Sequence, residues 1–506
     1  MRGPDMLTAL LVCVFISLFF IFRKRSRRLP PGPWGVPILG YIPFIDPIDP
    51  TKTFKYLMDK YGDIYCLRIG EKDVVIINDH NLIKEAFSRP ELCGRLDTEL
   101  TMSITFGKPM GFVNSTIDVC MEHRRFARRH LKDLGMGKRE FEPIIMDCVT
   151  KLVNHLKQEV GNPEATLGPF LEITVVNAIW GIVLGHSFRM DDELMYAMMK
   201  DKNKAIESYS KAFLVGTMAD YISKHVPRAL YEYDSMVASS NFFKLYASMY
   251  CEYFEKEGYH ENPTNYAQYF LQRKHEDKAT GIKTVFTDED LACCLMDIFI
   301  AGSETGSSLF RFCILYMILH QDWQIKLQRE VDKVIGTKRQ PCMEDKAKMP
   351  NMEAFINETL RSASIALMGL YHIATEDVQF HGYDIPKGTV LLASLDHVHR
   401  KSTNFENPEK FDPGRFLDKD GNIIKNPALI PFSSGKRSCI GEHMTRMEAF
   451  LFLSTMVQNF SFKAPPGKPP PSDRRIPAFV VKPLPFTMLI ESRNNNMPER
   501  LDLSSL

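Results

Sequence analysis

The stretch FSSGKRSCIG, residues 432–441, sets a single cysteine among glycines and basic residues, with Phe432, Gly435, Arg437, Cys439 and Gly441 in a fixed frame. The chain holds 11 cysteines, scattered and without a Cys-x-x-Cys pair, so neither a zinc ribbon nor a disulfide framework explains this one. A thiolate kept as a metal ligand needs shielding and backbone N–H donors, otherwise it is protonated or oxidised. Glycines permit the tight turn and close backbone approach that supply such donors. The chemistry that fits is axial ligation of haem iron, where a thiolate pushes electron density onto the metal and favours O–O cleavage. In that reading Arg437 pairs with a haem propionate and Phe432 covers the sulfur face.

A second group lies in AGSETG, residues 301–306, where Glu304 and Thr305 stand between two glycines. The surrounding apolar stretch, about 287 to 320, contains no proline and opens with Thr287 and Asp290 in capping-box spacing. Read as one helix it is about 50 Å long, enough to cross a domain. A buried helix avoids glycine, which costs about 1 kcal/mol, and avoids an unpaired carboxyl still more. The motif therefore predicts a local break, with the Thr305 hydroxyl bonding the Ala301 carbonyl and opening a groove. Glu358 and Arg361 in NETLR share a helix face, and FDPGRF supplies Arg415.

In this order these motifs resemble the cytochromes P450, and the resemblance extends over nearly the whole chain. It implies haem b (iron-protoporphyrin IX) with the Cys439 thiolate as axial ligand, cradled by Phe432, Gly435, Arg437 and Gly441, with Ala301 beside it. Glu358, Arg361 and Arg415 become a buried network that holds the core. Thr305 becomes the hydroxyl that hydrogen-bonds bound dioxygen, and Glu304 relays protons through water. Arg124 and His372 match further propionate anchors. Cys120 stands where the family has tryptophan, which removes one N–H donor to a propionate. Phe299, Ile300, Ala366, Leu367, Met368 and Val480 are the implied substrate pocket, apolar and suited to a lipophile. The stretch SASIALMGLYH lacks the prolines common there.

Positioning such a site falls to a mainly α fold with small peripheral β-sheets, the architecture the resemblance also implies. Strand-like runs occur at 64–78, 378–394 and 479–491, and the rest is largely of helical period. Residues 6–22 carry no charge and are followed at once by RKRSRR. That order predicts an uncleaved transmembrane helix with everything after it cytosolic, short enough for the endoplasmic reticulum bilayer. Proline-rich LPPGPWGVPILG then reads as a stiff hinge. The expected division is 1–22 anchor, 23–40 basic block and hinge, and 41–506 catalytic domain.

Net charge is +1, which excludes bulk attraction to nucleic acid. Local positive charge is another matter: Arg125, Arg128, Arg129 and Lys132 follow helical spacing and form one stripe. The resemblance assigns that stripe to docking of NADPH-cytochrome P450 reductase, with cytochrome b5 as a further partner. It implies a monooxygenase inserting one atom of O2 into a steroid, fatty acid, terpenoid or xenobiotic. Two alternatives keep the fold: a haem-thiolate isomerase or dehydratase not needing O2, and a non-catalytic haem-bearing binding protein. Glu304 and Thr305 argue against the first, and Cys120 is the one hint of the second.

Overall fold

A computed structural model describes residues 29–493, apart from 38, 47, 48, 98, 137, 138, 217–232 and 257–261. The expected anchor, residues 1–22, and the basic block lie outside the described residues. The first part of the chain forms α1 (Pro50–Tyr61), β1 (Ile64–Ile69), β2 (Lys72–Ile77), α2 (His80–Ala86), α3 (Glu99–Ser103), α4 (Ile117–Asp133), α5 (Glu142–Gln158) and α6 (Gly168–Val183). Next come α7 (Glu193–Gly216), α8 (Tyr233–Lys256), α9 (Tyr266–Ala279), α10 (Asp288–Leu319), α11 (Gln321–Val334) and α12 (Pro350–Ala363). Short strands β3 (His372–Ile373), β4 (Val378–Phe380), β5 (Tyr383–Ile385) and β6 (Val390–Ala393) lead to α13 (Leu395–Arg400). The last part holds α14 (Glu442–Asn459), β7 (Phe460–Lys463), β8 (Arg475–Ile476), β9 (Lys482–Pro483) and β10 (Leu489–Ser492).

The central element is α10. Its N-cap is Thr287, whose hydroxyl accepts the Asp290 N–H at 3.1 Å, and Asp288, Glu289 and Asp290 complement the dipole in its first turn. It packs against α6, α8, α12 and α14 and is buried over most of its 32 residues. The expected break at the glycines is absent: the helix runs unbroken from Asp288 to Leu319. The glycines serve packing. A Cβ on Gly302 would sit 2.3 Å from Ile179 Cδ1, and one on Gly306 would sit 2.8 Å from Val175 Cγ1. Both neighbours belong to α6, so the missing side chains let two buried helices approach closely.

Peripheral sheets are small, as expected from the pattern. The largest has the order β1-β2-β6-β3, with β1 and β2 antiparallel, β6 parallel to β2 and β3 antiparallel to β6. Three two-stranded pairs complete the β structure among the described residues: β4-β5, β7-β10 and β8-β9. The proline-rich hinge is tied down rather than free-standing. Its Pro31 carbonyl accepts the Cys66 N–H at 2.8 Å, and Gly40 bridges to Ile69 at the end of β1.

Candidate functional site

Cys439 precedes α14 in a loop whose shape is set by its backbone. Its N–H donates to the Phe432 carbonyl at 2.9 Å, closing the loop on itself. Gly435 has φ +81°, and a Cβ there would meet the Phe87 carbonyl oxygen at 2.0 Å, so only glycine fits. Gly441 is different: with φ −87° it is ordinary backbone, and a Cβ would stand 3.8 Å from the Cys439 sulfur. Of the ten cysteines described, eight are buried, Cys342 is half-buried and only Cys439 is exposed. Burial pushes the Cys439 thiol up, while the backbone N–H groups of Gly441 and Glu442 and the charge of Arg124 pull against it. Phe432 stacks under the guanidinium of Arg446 at 5.1 Å.

Around the loop lies an unusual concentration of positive charge. Arg124 on α4 donates to the Ser438 carbonyl, and its Nε is buried without a partner among the described residues. Arg437 donates to the carbonyls of Cys93 at 2.8 Å, Val113 at 3.3 Å and Ser115 at 2.6 Å. Arg95 joins them, donating to the carbonyls of Val113 and Tyr371 at 2.8 Å each. None of the three forms an ion pair with a carboxylate among the described residues. Burial and the neighbouring Arg437 bring Arg95 down to about 9, and burial likewise lowers Arg124 and Arg437. His372 sits on β3 with its Nδ1 buried and unpartnered among the described residues, and burial with the charges of Arg95 and Arg437 keeps it neutral. Three guanidinium groups without a carboxylate, beside an accessible thiol with N–H donors, are the donor set that a dianionic iron porphyrin needs. Haem fits these residues. Cys120, fully buried, turns its thiol toward the Phe112 carbonyl at 3.5 Å. Arg95 was not foreseen from the sequence, where it is one arginine in no motif.

Glu358, Arg361 and Arg415 come together as expected. The Glu358 carboxylate accepts Arg361 Nε at 2.7 Å and Nη2 at 2.8 Å, the Asp412 N–H at 2.8 Å, and Arg415 Nε at 3.2 Å. Arg361 also donates to the His399 carbonyl at 2.8 Å. The imidazole of His399 bonds the Ser364 hydroxyl through Nδ1 at 2.9 Å and accepts the Ile430 N–H at Nε2 at 3.1 Å. The network thus reaches the segment leading to Cys439 through His399, a residue that no sequence motif singled out.

On α10, Ala301 is exposed and Thr305 half-buried, with the Thr305 hydroxyl donating to the Ala301 carbonyl at 2.7 Å as predicted. Glu304 has a different place from the expected free proton relay. It is fully buried, with Oε2 2.7 Å from Lys202 Nζ and Oε1 paired with Lys482. Burial alone would raise its carboxyl, but the two ammonium groups outweigh burial and hold it below the usual carboxylate range. Asp297, two turns earlier, accepts the N–H groups of Phe112 and Val113 at 2.8 and 3.0 Å, and burial raises it to about 7.

Residues expected to line a substrate pocket divide. Ile300, Ala366, Leu367 and Met368 are half-buried. Phe299 is core rather than lining: it is 2 % exposed and stacks on Trp180 at 5.4 Å, because it points from α10 toward α6. Val480 is also buried. The basic stripe of Arg125, Arg128, Arg129 and Lys132 is exposed along one face of α4, apart from this interior.

Comparison with known proteins agrees with the geometry. A family model described as Cytochrome P450 matches residues 30–490. Cytochrome P450 2C25 of Mesocricetus auratus is 34 % identical over 469 residues, covering 90 % of this chain and 94 % of its own. Cytochrome P450 2C7 of Rattus norvegicus is 33 % identical over 468 residues, covering 91 % and 94 %. Cytochrome P450 2C8 of Homo sapiens is 33 % identical over 468 residues, covering 90 % and 93 %.

Proposed function

The chain belongs to the cytochrome P450 family of haem-thiolate monooxygenases, and from that premise we propose how its residues divide the work. The substrate is a lipophilic small molecule, a steroid, fatty acid, terpenoid or xenobiotic, that receives one oxygen atom by hydroxylation or epoxidation. Electrons come from NADPH through cytochrome P450 reductase, with cytochrome b5 as a second donor. The protein is held at the endoplasmic reticulum membrane by residues 1–22, with its catalytic domain in the cytosol.

One observation carries this reading: among the described residues, the one exposed cysteine stands beside three arginines that form no ion pair with a carboxylate. Cys439 would supply the thiolate that binds haem iron, its ionised form favoured by the N–H groups of Gly441 and Glu442. Arg95, Arg124, Arg437 and neutral His372 would hold its propionates. Haem bound there supplies the activation of O2. Thr305 keeps a hydroxyl on the accessible face of α10, able to exchange the Ala301 carbonyl for a partner in the cleft. Half-buried Ile300, Ala366, Leu367 and Met368 exclude water around an apolar substrate. Exposed arginines on α4 receive the reductase.

The test is the reduced, CO-bound spectrum together with NADPH consumption in the presence of reductase. A thiolate-type band and turnover of a lipophile are expected, and Cys439→Ala should lose the haem altogether. A Cys439→Ala protein that keeps its haem and its band overturns the assignment.

A further inference from the structure

Glu304 is bound into a buried ionic cluster that the family motif does not explain. Lys202, from α7, is itself fully buried and lies between Glu304 Oε2 at 2.7 Å and Glu172 Oε2 at 3.5 Å. Glu172, from α6, binds Arg311 of α10 at 2.8 Å through its other oxygen. Lys482, from β9, reaches the second oxygen of Glu304 and is 35 % exposed. The other elements packed on α10, which are α8, α9, α11, α12, α14 and β7, bring no charged side chain within ion-pair distance of Glu304 among the described residues. Removing one member of such a buried pair leaves an uncompensated charge, so the arrangement fixes both the ionisation and the orientation of the carboxylate.

Orientation decides what this does. Thr305 and Ala301 present the accessible face of α10, whereas Glu304 has no exposure at all. A carboxylate carrying two ammonium partners is also a poor proton donor, because the proton must displace a salt bridge to bind. We propose that Lys202 and Lys482 are positioning residues for the monooxygenase reaction, tethering Glu304 as a buried carboxylate so that protons reach the Ala301–Thr305 face through Thr305 and not from the Glu304 carboxyl. The inference rests on the reading above that this face serves oxygen activation.

The experiment uses the full-length holoenzyme and three variants, K482M, K482R and the double variant E304Q/K482M, with K202M as a second route to the same loss. Two readouts are taken from about pH 6 to 8: product formed per NADPH consumed, and the infrared signal of a protonated carboxyl in the resting protein. Wild type and K482R should give a flat ratio and no carboxyl signal beyond the background of buried Asp297 and Glu448, against which the signal of Glu304 is read. With one ammonium gone, burial raises Glu304. K482M should therefore show a protonated carboxyl toward acid pH and a ratio that changes about threefold or more across the range. E304Q/K482M should be flat again and lack the signal. The inference is overturned if K482M and K202M stay flat without the signal, or if the signal appears while the ratio stays flat. Failure of the underlying monooxygenase reading is separate: it appears as a missing CO band in the wild-type protein.

Discussion

Ile430 donates its backbone N–H to the imidazole Nε2 of His399 at 3.1 Å, and this bond joins the Glu358–Arg361–Arg415 network to the segment leading to Cys439. Because Nε2 accepts, the ring proton sits on Nδ1 and is directed at Ser364. Burial, more than any neighbouring charge, holds the ring neutral and brings it down to about 3. His399→Leu should leave the Ile430 N–H unpaired at a cost of about 1–3 kcal/mol. Lower thermal stability and faster haem loss to an acceptor protein are expected, with the thiolate band unshifted in the haem that remains. Equal haem retention in His399→Leu and wild type would show that the link does not position the loop.

Gly435 and Gly441 flank the same cysteine and should respond oppositely to alanine. Gly435 is left-handed and pressed on the Phe87 carbonyl, so Gly435→Ala incurs both backbone strain and a collision with main chain. A loss on the order of 3 kcal/mol or more is expected, read as reduced folded yield and haem content. Gly441 has ordinary backbone and its added methyl would make only van der Waals contact with the sulfur. Gly441→Ala should fold and bind haem within about 1 kcal/mol of wild type by thermal unfolding.

Much of this site was readable in the sequence because its parts are short-range patterns. Four residues frame Cys439, Glu358 and Arg361 are three apart on one helix, and Thr305 bonds a carbonyl four residues back. What was not readable depends on partners far along the chain. Arg95, His399, Lys202 and Lys482 are isolated polar residues, and in sequence each is indistinguishable from a solvated side chain. The glycines of α10 were misread for the same reason: their propensity cost is local, whereas the reason for them, Ile179 and Val175, lies on another helix. Phe299 likewise belongs to the core because of Trp180.

Glu448 on α14 offers a test of pH dependence away from the haem loop. It is 4 % exposed, its Oε1 has no partner among the described residues, and burial alone raises it to about 8. A carboxyl raised on folding stabilises fully below its unfolded value near 4.5, and that contribution is lost as pH rises toward about 8. Glu448→Gln removes the charge while keeping the shape. Relative to wild type it should gain stability at pH 8, on the order of 4 kcal/mol at most, and gain little near pH 5. Thermal unfolding at the two pH values decides it; the same increment at both would mean that Glu448 is not protonated on folding.

Arg128 and Arg129 stand exposed on α4, the helix whose buried side carries Arg124 to the Cys439 loop. An acidic partner docked on this face would bring its redox group toward the thiolate side of the site, and attraction between the two surfaces would speed the encounter. The chain's net charge of +1 makes this a local field with no support from the molecule as a whole. Arg128→Glu with Arg129→Glu should therefore slow reduction by the proposed reductase partner about tenfold or more at low salt. The gap from wild type should narrow as ionic strength rises and the Debye length falls below about 8 Å. Both substitutions are at the surface, so the reduced CO spectrum should be unchanged and stability nearly so. Stopped-flow reduction at several salt concentrations measures the effect. Equal rates at low salt would move the docking surface off α4.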